Sequence, residues 1–253
     1  MSEVLTERRG RVLLITLNRP DARNAVNLAL AEQLAGALDE LDADDSLSVG
    51  VITGAGKGFS AGMDLKAFVA GERPHVDDRG FAGITRRAAE KPLIAAIEGF
   101  AVAGGLEIAL SCDLIVGASD ARLGIAEVKR GLVAAAGALI RLPKRIPYHA
   151  AMELALTGDF VSGQRAYELG LLNRVAEPGK ALDAALELAD QIAQNAPLAL
   201  TASKEIVARA QDWDEREAWQ RQDTIAGPVL SSEDAREGAT AFAEKRSPEW
   251  KGR

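Results

Sequence analysis

Short β-rich runs that alternate with helix-spaced ones constrain this chain more than any other feature. "RVLLITLNRP" reads as a strand stopped by Pro20. In "NLALAEQLAGALDELDAD", Leu30, Leu34, Leu38 and Leu41 recur at helical spacing behind Asn27, a helix-capping residue type. "SVGVITGAGKG" is a second strand entering a glycine-rich loop. "PLIAAIEG" is a third, leading through "FAVAGG" into the helical "LEIALSC", and "DLIVGAS" is a fourth. Strands alternating with helices predict an α/β architecture, not a sandwich or a bundle, and no sequence repeat underlies it. From Lys180 the strand pattern ceases. "ALDAALELADQIAQ" is amphipathic, Pro197 breaks it, and further helices are expected over 198–209, 214–225 and 232–245. That tail is too thin to fold alone, so it has to pack on the core or on another subunit.

Charge and cysteine content narrow the function classes. Thirty basic and 37 acidic residues give a net charge of −7, with no block of either sign, which leaves no electrostatic footprint for nucleic acid. A single cysteine, Cys112, forbids an intramolecular disulfide and points to a reducing compartment; in "LEIALSCDLIVG" it reads as a small buried thiol. "MSEVLTERRG" lacks an apolar signal region, and no apolar run approaches the roughly 20 residues a membrane span needs. The expected setting is the cytoplasm. The polar segment 70–80, "AGERPHVDDRG", reads as a flap beside a pocket.

"GAGKGFSAGMDL" contains GFSAG, a match to the G-x-S-x-G turn that presents a nucleophilic serine in hydrolases. That reading needs a histidine late in the chain and a helix directly after Ser60. The two histidines are His75, in the polar segment, and His149, at a helix start, while Ala61-Gly62 continues a loop. A phosphate loop fails as well, because neither G-x-x-x-x-G-K-[ST] nor G-x-G-x-x-G is satisfied. What the glycines do allow is close approach of backbone N–H groups to a ligand.

A second glycine pair, Gly104-Gly105, sits where a strand hands over to a helix, a place suited to an oxygen that becomes negative. Glu107 follows among Leu106, Ile108, Ala109 and Leu110, an environment too apolar for an idle acid; Glu127 follows "ARLGIAEV". As the bland alternatives, Glu107 is a helix-start carboxylate and Glu127 a surface partner for Lys129 or Arg130.

Two stretches together, "GKGFSAGMDLKAF" and "IEGFAVAGGLEIALSCDLIVGASDARLGIAEVKRGL", resemble the enoyl-CoA hydratase/isomerase (crotonase) family. The similarity extends through "NRPDARNAVN", "ALTGDFVSGQRAYELGLLNRV" and "EGATAFAEKR", and so covers nearly the whole chain in the family's order. The resemblance implies the crotonase, ClpP-like α/β fold of repeated ββα units. It implies a core over 1–195 and a C-terminal helical region over 196–253 that serves oligomerisation and caps the CoA site. It also implies an oxyanion hole from the backbone N–H groups of Ala61 and Gly104, binding the thioester carbonyl of an acyl-CoA as it becomes an enolate.

Catalytic roles follow from the same resemblance: Glu127 donates a proton at Cα, and Glu107 orients and deprotonates water. With both glutamates present, hydration of a trans-2-enoyl-CoA to a 3-hydroxyacyl-CoA is the leading expectation. The alternatives are an enoyl-CoA isomerase, a carnitinyl-CoA dehydratase-like reaction, and a non-catalytic acyl-CoA-binding homologue. CoA contacts are expected from Arg23, Ala61, Met63, Asp64, Leu65, Phe242 and Lys245, with no metal and no cofactor beyond the CoA of the substrate. The expected assembly is a homotrimer or a dimer of trimers. One segment departs from the family: "LVAAAGALIRLPKRIP" stands where many hydratases read Pro-Gly-x-Gly-Gly-Thr-Gln-Arg-Leu. Its extra methyl groups should reshape the acyl pocket, and "RLPKRIP" is similar to carnitinyl-CoA dehydratases of the family.

Overall fold

The computed structural model describes residues 2–253. The chain begins with a hairpin, β1 (Val4–Arg9) and β2 (Val12–Leu17), turned at Gly10 with φ +59°. Helix α1 (Leu28–Ala43) follows, capped by the Asn27 side chain, which accepts from the Leu30 N–H. Then come β3 (Val49–Gly54), the short α2 (Leu65–Val69), and a two-residue hairpin of β4 (His75–Val76) and β5 (Gly80–Phe81). The central run is β6 (Leu93–Ile97), β7 (Phe100–Val102), α3 (Gly104–Ser111), β8 (Leu114–Ala118) and β9 (Arg122–Gly124). A 3-10 turn over Glu127–Arg130 leads to α4 (Ala138–Arg145) and α5 (Tyr148–Thr157). β10 (Val161–Ser162), α6 (Gly163–Glu168) and β11 (Arg174–Ala176) close the mixed region. Four helices end the chain: α7 (Ala181–Ala193), α8 (Pro197–Ala210), α9 (Glu215–Leu230) and α10 (Glu233–Glu244).

Six strands form the main sheet in the order β1-β2-β3-β6-β8-β11, parallel except for the opening hairpin. Alternate residues face opposite sides of a strand, and here both sides are covered, which is why these runs are almost wholly apolar. Val12, Leu14, Val49, Val51, Ile94 and Ala96 pack beneath Ala185 and Ala189 of α7. Leu13, Ile15, Leu17 and Ile52 face the other way, into the large core with Leu30, Leu34, Leu38 and Leu41 of α1.

A smaller sheet positions the site. β7 and β9 run side by side in parallel, with β10 antiparallel to β9. The chain leaves the main sheet for this one at Gly99, where φ is +58° and a Cβ would lie 2.0 Å from the Lys57 carbonyl oxygen. The glycine-rich loop runs along β7 on its free edge: Ser60 bridges Ala101 in parallel, and the Val102 N–H donates to the Ser60 carbonyl at 3.1 Å. Three chain segments far apart in sequence therefore arrive in register.

Two elements differ from the sequence reading. "FAVAGG" is not a simple connector, because Phe100–Val102 is a strand whose partner, β9, lies more than twenty residues later. β1 carried no apolar signal since only Val4 of it is buried; it is an edge strand held by β2. The polar segment 70–80 contains the β4–β5 hairpin and a buried Arg79, whose guanidinium pairs with Asp39 and donates to the Arg87 carbonyl at 3.1 Å. Among the described residues, no helix is long and apolar enough to cross a membrane.

Candidate active site

A cavity of about 730 Å3 opens at the carboxyl ends of β7 and β9. The two strand ends are tied directly, the Ala103 N–H donating to the Gly124 carbonyl at 2.9 Å. α3 thus starts beside the segment that delivers Glu127, and Gly104, Glu107 and Glu127 all line the one cavity. Ala103, the cap of α3, sits at φ 52°, ψ −130°, a strained conformation for a residue with a Cβ and one worth about 1–3 kcal/mol.

Close approach of the two glycine segments needs residues without side chains. A Cβ on Gly62, where φ is +87°, would lie 2.7 Å from the Gly104 nitrogen, and one on Gly105 would lie 2.2 Å from the Ser60 carbonyl oxygen. Ser60 is fully buried, its hydroxyl donating to the Asn24 carbonyl at 2.8 Å and accepting from the Gly62 N–H at 3.1 Å. It pins the loop and presents no free nucleophile.

The structure corrects the expected donor pair. The Ala61 N–H is taken by the Arg23 carbonyl at 3.0 Å, so it is not free for a ligand. Met63 bridges Val26 in parallel: the Val26 N–H bonds the Gly62 carbonyl and the Asp64 N–H bonds the Val26 carbonyl. The flanking groups thus serve the bridge, while the Met63 N–H meets no acceptor among the described residues. The Gly104 N–H, at the amino end of α3, is likewise unpaired among the described residues. Met63 and Gly104 thus each bring a free amide to the cavity wall. Nothing in the tripeptide "AGM" marks which amide is spent; the Arg23 carbonyl takes that of Ala61, and the Val26–Met63 bridge leaves that of Met63 free.

Glu107 is buried, 3% exposed, and burial is the main cause that lifts its carboxyl to about 7; the charge of Glu127 adds to the rise. Backbone N–H donation opposes it, above all from Ala138 to Oε1 at 3.1 Å. Burial also raises Glu127, whose Oε2 is enclosed and without a hydrogen-bond partner among the described residues. Glu127 is not the surface ion partner of Lys129, which pairs with Asp159 instead. One acid is therefore anchored and the other left free, both shifted toward neutrality at one cavity, as a proton-transfer pair requires.

Of the residues expected to contact CoA, Arg23, Ala61, Met63 and Leu65 lie on the cavity wall. Asp64 does not: its carboxylate caps α2, accepting from the Lys66 and Ala67 N–H groups, and pairs with Arg19 at 3.0 Å. Phe242 and Lys245 lie on and just after α10, outside this cavity of the same chain, Phe242 being 87% exposed. Residues the sequence did not flag are Phe81, whose ring packs against Gly104, and Arg122, whose guanidinium lies 4.7 Å from the Phe160 ring centre. His75, exposed, also borders the cavity, edge-on to Phe81; burial is the main cause lowering its pKa. Arg122 and Arg130 flank the second acid in sequence, the one signal that could have found them.

Fold and site define a crotonase-fold enzyme. The pattern of the enoyl-CoA hydratase/isomerase family matches residues 7–253. A crystal structure of enoyl-CoA hydratase from Mycobacterium tuberculosis is 56% identical with a TM-score of 0.98, and each chain is fully covered. Enoyl-CoA hydratase EchA19 of the same organism is 42% identical over 260 residues, covering 99% of this chain and 97% of the relative. Carnitinyl-CoA dehydratase of Proteus mirabilis is 44% identical over 253 residues, covering 97% of each. The chain belongs to the enoyl-CoA hydratase/isomerase family.

Proposed function

We propose that this enzyme is a hydro-lyase that adds water across the 2,3 double bond of a trans-2-enoyl-CoA. The observation that carries this reading is a pair of glutamates with raised pKa values, Glu107 and Glu127, on the wall that also bears two unpaired amides. The thioester carbonyl accepts from the Met63 and Gly104 N–H groups, which stabilise the charge that develops on it. Losing one such donor typically costs about 2.7–4 kcal/mol at the transition state.

Glu107, its carboxylate held by the Ala138 N–H, orients the water and takes one proton from it as the oxygen bonds to Cβ. The enolate that results is protonated at Cα by Glu127. The pair exchanges protons as a unit, and the net addition is the H and OH of one water. No metal or further cofactor enters this scheme. Arg23, Arg122 and Arg130 on the cavity wall suit the phosphates of CoA. Phe242 and Lys245 serve the CoA site of a neighbouring subunit, and the assembly is a homotrimer or a pair of trimers built on the C-terminal helices.

The test is hydration of crotonyl-CoA and longer enoyl-CoAs, followed by loss of the absorbance of the conjugated thioester. Turnover that falls sharply in Glu127→Gln supports the two-acid scheme. Turnover largely kept in that variant, or double-bond migration in place of hydration, points to an isomerase. Binding of CoA thioesters without any turnover identifies a non-catalytic homologue.

A further inference from the structure

A second cavity of about 400 Å3 lies against the same catalytic wall, between α4, α5 and the loop that follows Glu127. Glu127 and Val133 border both cavities. The partition is the loop 132–136: Leu132, Ala135 and Ala136 face the first cavity, Ala134 faces the second, and Val133 touches both. Three successive alanines make this partition thin, and Val133 is 66% exposed, so packing does not fix its side chain in a closed position.

The geometry of the first cavity sets a direction. With the thioester bound as proposed above, a carbonyl on the Met63 and Gly104 amides would run through Cα and Cβ to the two glutamates, and the rest of the acyl chain would pass Glu127, which lines the same cavity. The second cavity begins there. Apart from Glu127 it has no charged residue on its wall, and the Tyr148 hydroxyl is the one other polar side-chain group; Leu139, Leu142, Met152 and Ala155 supply much of the rest. Such a wall rewards hydrocarbon and penalises a polar or cationic substituent that would be desolvated without a partner.

We propose that this second cavity receives the hydrocarbon tail of the acyl group, so that the preferred substrates carry an extended apolar acyl chain, neither a short one nor one ending in a quaternary ammonium. The proposal rests on reading the first cavity as an acyl-CoA site. Tyr148 and Leu156 at the rim are exposed in the single chain, so a second copy of the chain is the competing occupant.

Calorimetric titration with saturated CoA thioesters, which bind without turning over, tests it. The wild-type enzyme should bind decanoyl-CoA at least tenfold more tightly than butyryl-CoA, and more tightly than a thioester bearing a trimethylammonium group. Ala155→Phe, which fills the cavity, should remove most of that preference, with butyryl-CoA affinity within twofold and oligomeric mass unchanged by light scattering. Leu156→Trp, at an exposed rim position that folding tolerates, provides the same test if the first variant does not fold. Equal affinity for the two chain lengths, a preference untouched by both variants, or tighter binding of the cationic thioester would overturn the proposal. So would a change of oligomeric mass with both ligands weakened alike, which would make the groove a subunit contact. Tight decanoyl-CoA binding without turnover on any enoyl-CoA would sink the hydratase reading alone; crotonyl-CoA hydration without chain-length preference would sink the tail pocket alone.

Discussion

Burial of the Glu107 carboxyl carries a cost in stability that depends on pH. Its carboxyl stands at about 7 in the folded chain against 4.5 when free, so the folded state keeps a proton that the unfolded state gives up between those values. Stability is therefore lost as pH rises from below 4.5 to above 7, by an amount on the order of 3 kcal/mol at 1.36 kcal/mol per unit. Glu107→Gln keeps an oxygen for the Ala138 N–H and removes the penalty. Thermal melts should show the variant stabilised relative to wild type at pH 8, with the gain vanishing near pH 4. Its kcat for hydration should drop roughly 10²–10⁴-fold, the usual worth of a positioned acid or base. Ser60→Ala tests the opposite kind of residue. It leaves the Gly62 N–H and the Asn24 carbonyl short of a partner, costing about 1–3 kcal/mol of stability. Turnover should stay within about tenfold of wild type, because the hydroxyl takes no part in chemistry. A loss near 10⁴-fold, as removal of a nucleophile produces, would contradict the assignment.

At the scale of elements, the legible parts were those whose signal is local. α1 announced itself through four leucines and an asparagine cap, and β2, β3, β6 and β8 through apolar runs buried on both faces. Gly104 and Glu107 were visible because one helix start carries both. The parts that were not legible depend on pairing across the chain. β7 is a strand because β9 lies beside it, and Met63 displaces Ala61 as the free amide because the Arg23 carbonyl takes the Ala61 N–H while Val26 pairs with the groups on either side of Met63. Neither partner can be read from the segment itself. The glycine loop provides the matching prediction. Gly62→Ala adds a methyl at φ +87°, 2.7 Å from the Gly104 nitrogen, and must push the two donor segments apart. kcat should fall roughly 10²–10³-fold, the range for one lost oxyanion donor, with far-UV circular dichroism unchanged. Wild-type turnover in this variant would show that the two amides do not act together.

Across the whole molecule, the C-terminal helices are tied to the core by few but specific contacts. Lys204 of α8 pairs with Asp113 at 2.7 Å and donates to the Ala89 and Lys91 carbonyls, and the Trp250 indole donates to the Gln194 carbonyl at 2.7 Å. Val207, Trp219, Leu230 and Phe242 remain largely exposed on these helices. Large apolar side chains spread over three neighbouring helices supply the surface on which the assembly proposed above would rest. Trp219→Asp combined with Leu230→Asp should shift the mass measured by light scattering from three chains, or a multiple of three, toward one. A wild-type enzyme that is monomeric at micromolar concentration would contradict this reading.

The claim on which the chemistry depends is that two main-chain amides, 41 positions apart in the sequence, receive one oxygen. A crystal structure with a bound, non-reacting acyl-CoA tests it most directly. The thioester oxygen is predicted to lie about 2.7–3.1 Å from both the Met63 and the Gly104 nitrogens, with Glu107 and Glu127 facing the Cα–Cβ bond. A carbonyl oxygen bound to neither amide, or a thioester seated away from the two glutamates, would contradict the account.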